Sequence, residues 1–178
     1  QTESWLLIRE NLELFALDYY KPLGHPSRHI HELISHFQKC KDELVSPEEY
    51  IDYVDNLKLD KDDAEIEEKN KLKELAKAYK IYNQLLIDNA CFDFADLIYY
   101  TVKLLQQKPQ IKESLQKRFK YILVDEFQDV NWTQYKLIQL LSEKSQLTVV
   151  GDDDQAIYSF RGASVSNILQ FKDDYPKA

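Results

Sequence analysis

The sequence predicts an α/β protein with a predominantly helical N-terminal region and a small parallel-sheet unit after it. Three observations lead there. Apolar residues recur at helical spacing through the first two-thirds of the chain. Two short apolar runs, Tyr121–Val124 and Leu147–Val150, come later, and residues 133–144 between them have the spacing of an amphipathic helix. Strand, helix and strand in that order form a βαβ unit, whose parallel strands are expected to be buried on both faces. The change of pattern near 108–118 divides the chain into a helical unit, 1–108, and an α/β unit, 109–178. No internal repeat or low-complexity stretch interrupts this order.

Each element has its own signal. Residues 4–19 place Leu7, Leu12, Phe15 and Leu17 among polar neighbours, which predicts a helix that Pro22, Gly24 and Pro26 end. A second helix is expected from Ser27 to about Lys39. Ser46-Pro47-Glu48-Glu49 reads as a helix start: Ser46 caps, Pro47 suits the first helical position, and Glu49 reaches back as in a capping box. That helix should run to about Asn56. Residues 64–89 carry an apolar stripe at Leu72, Leu75, Ala76, Tyr79, Tyr82 and Leu86 on a charged background, the pattern of a long half-buried helix. Helices over 94–107 and from Ile111 to about Lys117 complete the first part.

Composition bounds the function. The chain has 178 residues, 44% hydrophobic and 30% charged, a profile of soluble globular protein. No apolar run approaches the roughly 20 residues that span a membrane, and no secretory signal is visible at Gln1, so a cytoplasmic location without membrane partners is expected. Cys40 and Cys91 have neither metal spacing nor a disulfide framework and read as two buried thiols. The absence of methionine, at the start and throughout, suggests a piece of something longer. Residues 42–74 hold 13 acidic and 5 basic residues, which accounts for the whole net charge of −8. The stretch reads as solvated helix face and loop. Nucleic-acid domains are usually basic overall, so any contact with DNA must be local.

The chemistry lies where the strands end. Ligand groups of open α/β sheets gather at the carboxyl ends of the strands. The first strand leads into Asp125-Glu126-Phe127-Gln128-Asp129 and the second into Gly151-Asp152-Asp153-Asp154-Gln155, followed by Ala156-Ile157-Tyr158-Ser159-Phe160-Arg161-Gly162-Ala163. One carboxylate of the Asp125–Glu126 pair can hold Mg²⁺ through water, and the other can orient or deprotonate an attacking water. Such pairs are common, and a solvated strand end explains them as well. Parallel pairing would bring Gln155 near them, where a neutral amide can touch a phosphate oxygen without repelling it. Tyr158, Phe160 and Arg161 supply two rings and a cation for stacking on bases and holding a backbone phosphate. On composition alone, a core aromatic pair with a surface arginine is the plainer reading.

Together, Val124-Asp125-Glu126-Phe127-Gln128-Asp129 and the run from Val149 to Ala163 resemble motifs II and III of the UvrD/Rep/PcrA helicases of superfamily 1, at a fitting separation. Phe92-Asp93-Phe94-Ala95-Asp96-Leu97 resembles the segment before motif II, and Asn167–Phe171 with Asp174-Tyr175-Pro176 resembles the sequence after motif III. The specific likeness covers 91–178. Residues 1–90 match in character only, as the helical 1B subdomain inserted into the first RecA-like domain. The resemblance implies a partial RecA-like, P-loop NTPase-like unit and an ATP-dependent DNA helicase that uses ATP and Mg²⁺ on single-stranded DNA and single-strand/duplex junctions, with repair or replication proteins as possible partners. By similarity Asp125 is the Mg²⁺-associated carboxylate, Glu126 the catalytic base, and Gln155 the γ-phosphate sensor. Tyr158, Phe160 and Arg161 face single-stranded DNA. Phe94 matches an aromatic that wedges between bases, although a core Phe on an amphipathic helix accounts for it equally. Phe160 departs from the Trp common in the UvrD/PcrA branch and matches the Phe of RecB-like relatives, while the Gly-Asp-Asp-Asp-Gln spelling favours the UvrD/Rep branch.

A P-loop needs G-x-x-x-x-G-K-[ST]. With glycine only at Gly24, Gly151 and Gly162, the chain has no such segment, so these residues by themselves are expected not to hydrolyse ATP. Two other readings stand beside the helicase. A metal-dependent nuclease would use Asp125, Glu126, Asp129 and Asp152–Asp154 as converging carboxylates. A binding module would use the helical part to dock a protein. Asp60-Lys61-Asp62-Asp63 begins like a calcium loop but lacks its glycine and is discarded.

Overall fold

The computed structural model describes residues 2–58, 63–152 and 165–176, excepting the side chains of 165–169. The chain forms two compact units. The first comprises 1–40 and 45–93, and the second 41–44 and 94–178. The units divide at Asp93/Phe94, upstream of the boundary expected from the change in pattern.

In the first unit, α1 (Thr2–Glu10) ends earlier than its apolar pattern predicts. The Asn11 side chain donates to the Leu7 carbonyl at 2.9 Å, taking up an acceptor at the helix end. The chain then makes a 3-10 turn, Leu12–Phe15, and Ala16 enters the left-handed region at φ 45. The expected helix over 4–19 is therefore two elements. Local capping overrides a pattern whose apolar residues still reach the core: Ile8 and Phe15 are both buried. Glu74 fixes the following bend, its carboxylate accepting from the backbone N–H groups of Asp18, Tyr19 and Tyr20 at 3.1–3.2 Å.

Helix α2 (Ile30–Asp42) starts and ends about a turn later than expected. Helix α3 (Pro47–Asn56) begins as the sequence predicts, with both arms of the capping box formed between Ser46 and Glu49. Helix α4 (Asp63–Asp88) presents the predicted stripe, and Phe37 stacks on Tyr79 and Tyr82 at 5.5 and 5.2 Å between centroids. Each tyrosine hydroxyl finds an acceptor, Val45 O for Tyr79 and Asp93 Oδ2 for Tyr82, so these rings are buried at no cost in lost hydrogen bonds. Much of the acidic stretch is exposed on α3 and α4, with Lys80–Glu48 and Lys73–Asp55 ion pairs across it. Cys91 is exposed and Cys40 half-buried, and neither forms a disulfide, which corrects the expectation of two buried thiols.

The second unit contains α5 (Phe94–Gln107), α6 (Pro109–Arg118), β1 (Tyr121–Val124), a 3-10 turn (Phe127–Asp129), α7 (Trp132–Ser142), β2 (Gln146–Val149) and α8 (Val165–Asp174). Pro109 occupies the first turn of α6, so the helix starts there rather than at Ile111. Strands β1 and β2 pair in parallel, Tyr121 with Gln146 through Val124 with Val149. Both strands alternate between exposed and half-buried residues, and Tyr121 and Leu123 are 71% and 78% exposed. The expectation of strands buried on both faces is therefore corrected. Helices cover one side, where Val124 and Val149 meet Phe127, Val130 and Tyr135, and the other side is open.

Residues 41–44 belong to this unit through a buried ion pair. Lys41 Nζ lies 2.7 Å from Asp96 Oδ1, with the side chains 0% and 1% exposed. The Thr133 hydroxyl donates to the carbonyls of Lys41 and Asp42, and the Asn131 amide donates to Asp42 Oδ1 at 2.7 Å. Helix α5, which supplies Asp96, packs against α6 and α7. That is why it clusters with the sheet rather than with the helices before it. Among the described residues no helix is long and apolar enough to cross a membrane.

Removing one partner of a buried ion pair leaves the other charge uncompensated. Lys41→Met should lower unfolding stability by about 3–5 kcal/mol, and adding Asp96→Leu should recover much of that loss in denaturant titrations. Ser46→Ala should cost only about 1 kcal/mol in the same measurement, because it removes a cap and leaves no buried charge.

Candidate functional site

The parallel ladder fixes the site. Beyond the last paired residues, the Val150 N–H donates to Val124 O at 2.8 Å and the Phe127 N–H donates to Val150 O at 3.0 Å. Between those two bonds the chain makes a two-residue excursion containing Asp125 and Glu126, both exposed. Glu126 takes the left-handed conformation, φ 51 and ψ 45, which lets the chain return within two residues. Asp125 Oδ1 accepts the N–H of the next residue, Glu126, at 2.9 Å.

Gln128 ties the two strand ends together. Its Nε2 donates to Glu126 Oε2 at 2.6 Å, and its Oε1 accepts the Asp152 N–H at 3.0 Å. The side chain is 3% exposed. Only one orientation of the amide meets both neighbours, since a carboxylate accepts and a backbone N–H donates. Gly151 makes the approach possible. A Cβ there would stand 2.8 Å from Gln128 Oε1 and 3.1 Å from Phe127 Cβ, both closer than ordinary packing allows. Gln128 went unassigned in the sequence reading. Its signal was a neutral amide inside an acidic run, next to a strand that ends in glycine.

Below the site Phe127 meets Tyr135 and Phe171 edge-on, at 5.8 and 5.3 Å. Helix α8 is held to α7 by the Tyr135 hydroxyl, which donates to Asp174 Oδ2 at 2.6 Å, by Gln139 to the same oxygen, and by the Ser142–Tyr175 hydroxyl pair. Burial, and then the Asp174 carboxylate, push the Tyr135 phenol well above its ordinary value. The Tyr135 hydrogen bond in turn holds Asp174 below the usual carboxylate range.

Of the residues singled out in the sequence, Asp125 and Glu126 sit side by side at the carboxyl end of β1. Phe94 opens α5 and is 81% exposed, which excludes the core reading of that residue. Gln155, Tyr158, Phe160 and Arg161 lie outside the described residues, as do Asp60–Asp62 of the discarded calcium loop. Among the described residues no group of three or more His, Cys, Asp or Glu side chains could hold a metal ion, so they contain no converging carboxylates of the nuclease kind. A cavity of about 540 Å³ lined by Lys117, Lys120, Tyr121, Lys144 and Gln146 opens at the amino ends of the strands, away from the carboxylates.

A helical unit is followed by a parallel strand–helix–strand unit with acidic residues after both strands, and it carries the motif spellings noted above, which resemble those of superfamily 1 helicases. Residues 5–176 match the family model described as UvrD/REP helicase N-terminal domain, and the chain belongs to that family. The match reaches through the helical unit, beyond the part in which specific motifs are legible. The ATP-dependent DNA helicase PcrA of Bacillus subtilis (strain 168) is 39% identical over 151 residues, 82% of this chain and 18% of that protein. The proteins of the same name from Staphylococcus epidermidis (strain ATCC 12228 / FDA PCI 1200) and Staphylococcus aureus (strain NCTC 8325 / PS 47) are 49% and 48% identical over 105 residues, 58% of this chain and 14% of each relative. The chain thus spans less than a fifth of the length of these curated relatives.

A carboxylate held below its ordinary range stabilises the fold above its unfolded pKa, about 3.9 for Asp, and that contribution is lost as pH falls through the folded value. Tyr135→Phe should therefore be less stable than the parent at pH 7, by about 1 kcal/mol given the exposure of Asp174. The difference should shrink below about pH 4, as read by thermal unfolding across pH.

Proposed function

We propose that the chain is part of an ATP-dependent DNA helicase that couples Mg-ATP hydrolysis to movement along single-stranded DNA and to duplex unwinding. The observation that carries this reading is the exposed Asp125–Glu126 excursion at the end of a parallel strand, bound through Gln128 to the end of the next strand, in a chain of this family. The second unit, α5 included, is then part of a RecA-like domain with 109–178 as its core, and the first unit is a 1B-like subdomain. Its place is the cytoplasm.

The residues suit Mg-ATP. Asp125 is exposed, and Oδ1 is engaged by the Glu126 N–H, so Oδ2 is the oxygen that would hold a magnesium ion through water. One carboxylate is enough, because magnesium in such sites takes most other ligands from phosphate and water. Bound Mg-ATP supplies a γ-phosphoryl group that water can attack in line. Glu126 orients that water and accepts its proton, and Gln128 holds the carboxylate while it does so. Gln155 contacts the γ-phosphate and links it to DNA. Tyr158, Phe160 and Arg161 stack on and hold the single strand. Phe94, already exposed, wedges between bases without a rearrangement of the core.

The P-loop and the second RecA-like domain are supplied by other parts of the full protein. Residues 1–178 by themselves then form one wall of the nucleotide site, hydrolyse no ATP, and bind DNA weakly and in a salt-sensitive way. The full protein would work at single-strand/duplex junctions, with repair or replication proteins as partners.

The test restores the flanking sequence and compares single-strand-stimulated ATPase of wild type and Glu126→Gln. Wild type should be strongly stimulated, and the variant should lose about 100-fold or more of its turnover while still binding ATP. Equal turnover in both, or no stimulation by DNA, would overturn the reading in favour of a binding module.

A further inference from the structure

We propose that Gln128 is a positioning residue: it holds the Glu126 carboxylate in its working pose and makes that pose depend on where the end of β2 lies. The inference rests on the reading of Glu126 as the base and goes beyond it by assigning Gln128 a coupling role between the two strand ends.

The geometry carries the argument. Glu126 is exposed and sits on a left-handed residue, so nothing in its backbone fixes the carboxylate. Among the described residues the one hydrogen bond to its side chain comes from Gln128, at 2.6 Å. Gln128 itself has little freedom. It is 3% exposed, its backbone lies in the 3-10 turn closed by the Asp129 N–H to Glu126 O bond at 2.9 Å, and Gly151 passes so near that a Cβ there would stand 2.8 Å from its Oε1. The two ports of the amide face different strands: Nε2 meets the residue after β1, and Oε1 meets the Asp152 N–H after β2. An amide group is planar and rigid, so a shift of Asp152 moves the donor that holds Glu126. Asp152 is three residues before Gln155 in the sequence. Any displacement of the chain leaving β2, whether by nucleotide or by DNA, thereby has a direct route to the base.

Chemistry distinguishes this role from packing. Gln128→Glu keeps shape and volume but sets an acceptor against the Glu126 carboxylate. Gln128→Ala removes both ports. Gly151→Ala leaves Gln128 intact and pushes on its Oε1.

The experiment uses the protein with its flanking sequence restored. It measures basal turnover, DNA-stimulated turnover, affinity for a non-hydrolysable ATP analogue and melting temperature for these three variants and for Glu126→Gln. Misplacing a catalytic group by about 1 Å can cost on the order of 100-fold in rate. Gln128→Glu and Gln128→Ala should therefore lose about 10- to 100-fold of stimulated turnover, with analogue affinity nearly unchanged. The ratio of stimulated to basal rate should fall at least about fivefold, the lower end of ordinary coupling energies. Gly151→Ala should lose stimulation in the same direction. The double variant Glu126→Gln/Gln128→Glu re-forms an amide–carboxylate bond with the roles exchanged. It should regain melting temperature without regaining turnover, because the base is gone, which separates what the bond gives to folding from what the carboxylate gives to turnover.

Wild-type turnover and stimulation in Gln128→Glu or Gln128→Ala, with Glu126→Gln inactive, would overturn the coupling role and leave the base assignment standing. An active Glu126→Gln would remove the base assignment and the coupling role together. If the Gln128 variants do not fold, Gly151→Ala decides: full stimulation in that folded variant overturns the proposal, and lost stimulation with intact nucleotide affinity supports it.

Discussion

Parallel pairing of β1 with β2 leaves no choice about where the acidic residues go. In a parallel pair both strands finish at the same edge, so the segment after Val124 and the segment after Val149 must meet there. An antiparallel hairpin of the same residues would put them at opposite ends. The helix α7 crossover is what makes the parallel pair possible, and the Phe127–Tyr135–Phe171 contacts anchor that crossover beneath the acidic excursion. The two backbone bonds on either side of Asp125 and Glu126 then work as a frame. They hold the chain on both sides of the pair while exposing the pair itself.

A second constraint explains the discontinuous unit. Residues 41–44 come from the end of a helix of the first unit, yet they are built into the second through Lys41–Asp96 and the Thr133 and Asn131 hydrogen bonds. Replacing a buried ion pair with apolar residues of similar volume is often no less stable, so such a pair is weak evidence for stability alone. What it provides here is a specific link between residues 41–44 and α5, whose first residue, Phe94, lies in solvent.

The legible parts of the fold were those with a local chemical cause. Ser46 and Glu49 announced α3 because a capping box is complete within four residues. Tyr121–Val124 announced β1 to the residue because charge bounds it on both sides. The helix over 4–19 misled because its apolar spacing is a tertiary signal that a 3-10 turn serves equally well, and the break depends on Asn11 and Ala16. The open face of the sheet could not be read because an apolar strand looks the same whether or not something in the chain covers it. Helix α8 went unread because its apolar residues are few and its hold comes from Tyr135, thirty-nine positions before Asp174. At the site, the identities of Asp125 and Glu126 were legible as chemistry. Gln128 was not, because its meaning lies in two bonds to residues on different strands.

The left-handed backbone at Glu126 sets local foldability against use. A side chain with a Cβ pays roughly 1–2 kcal/mol to sit there, and glycine would sit there with little strain. The loop thus carries its second carboxylate on a backbone conformation that works against its own folding, as Ala16, Leu44 and Ala90 do elsewhere in the chain.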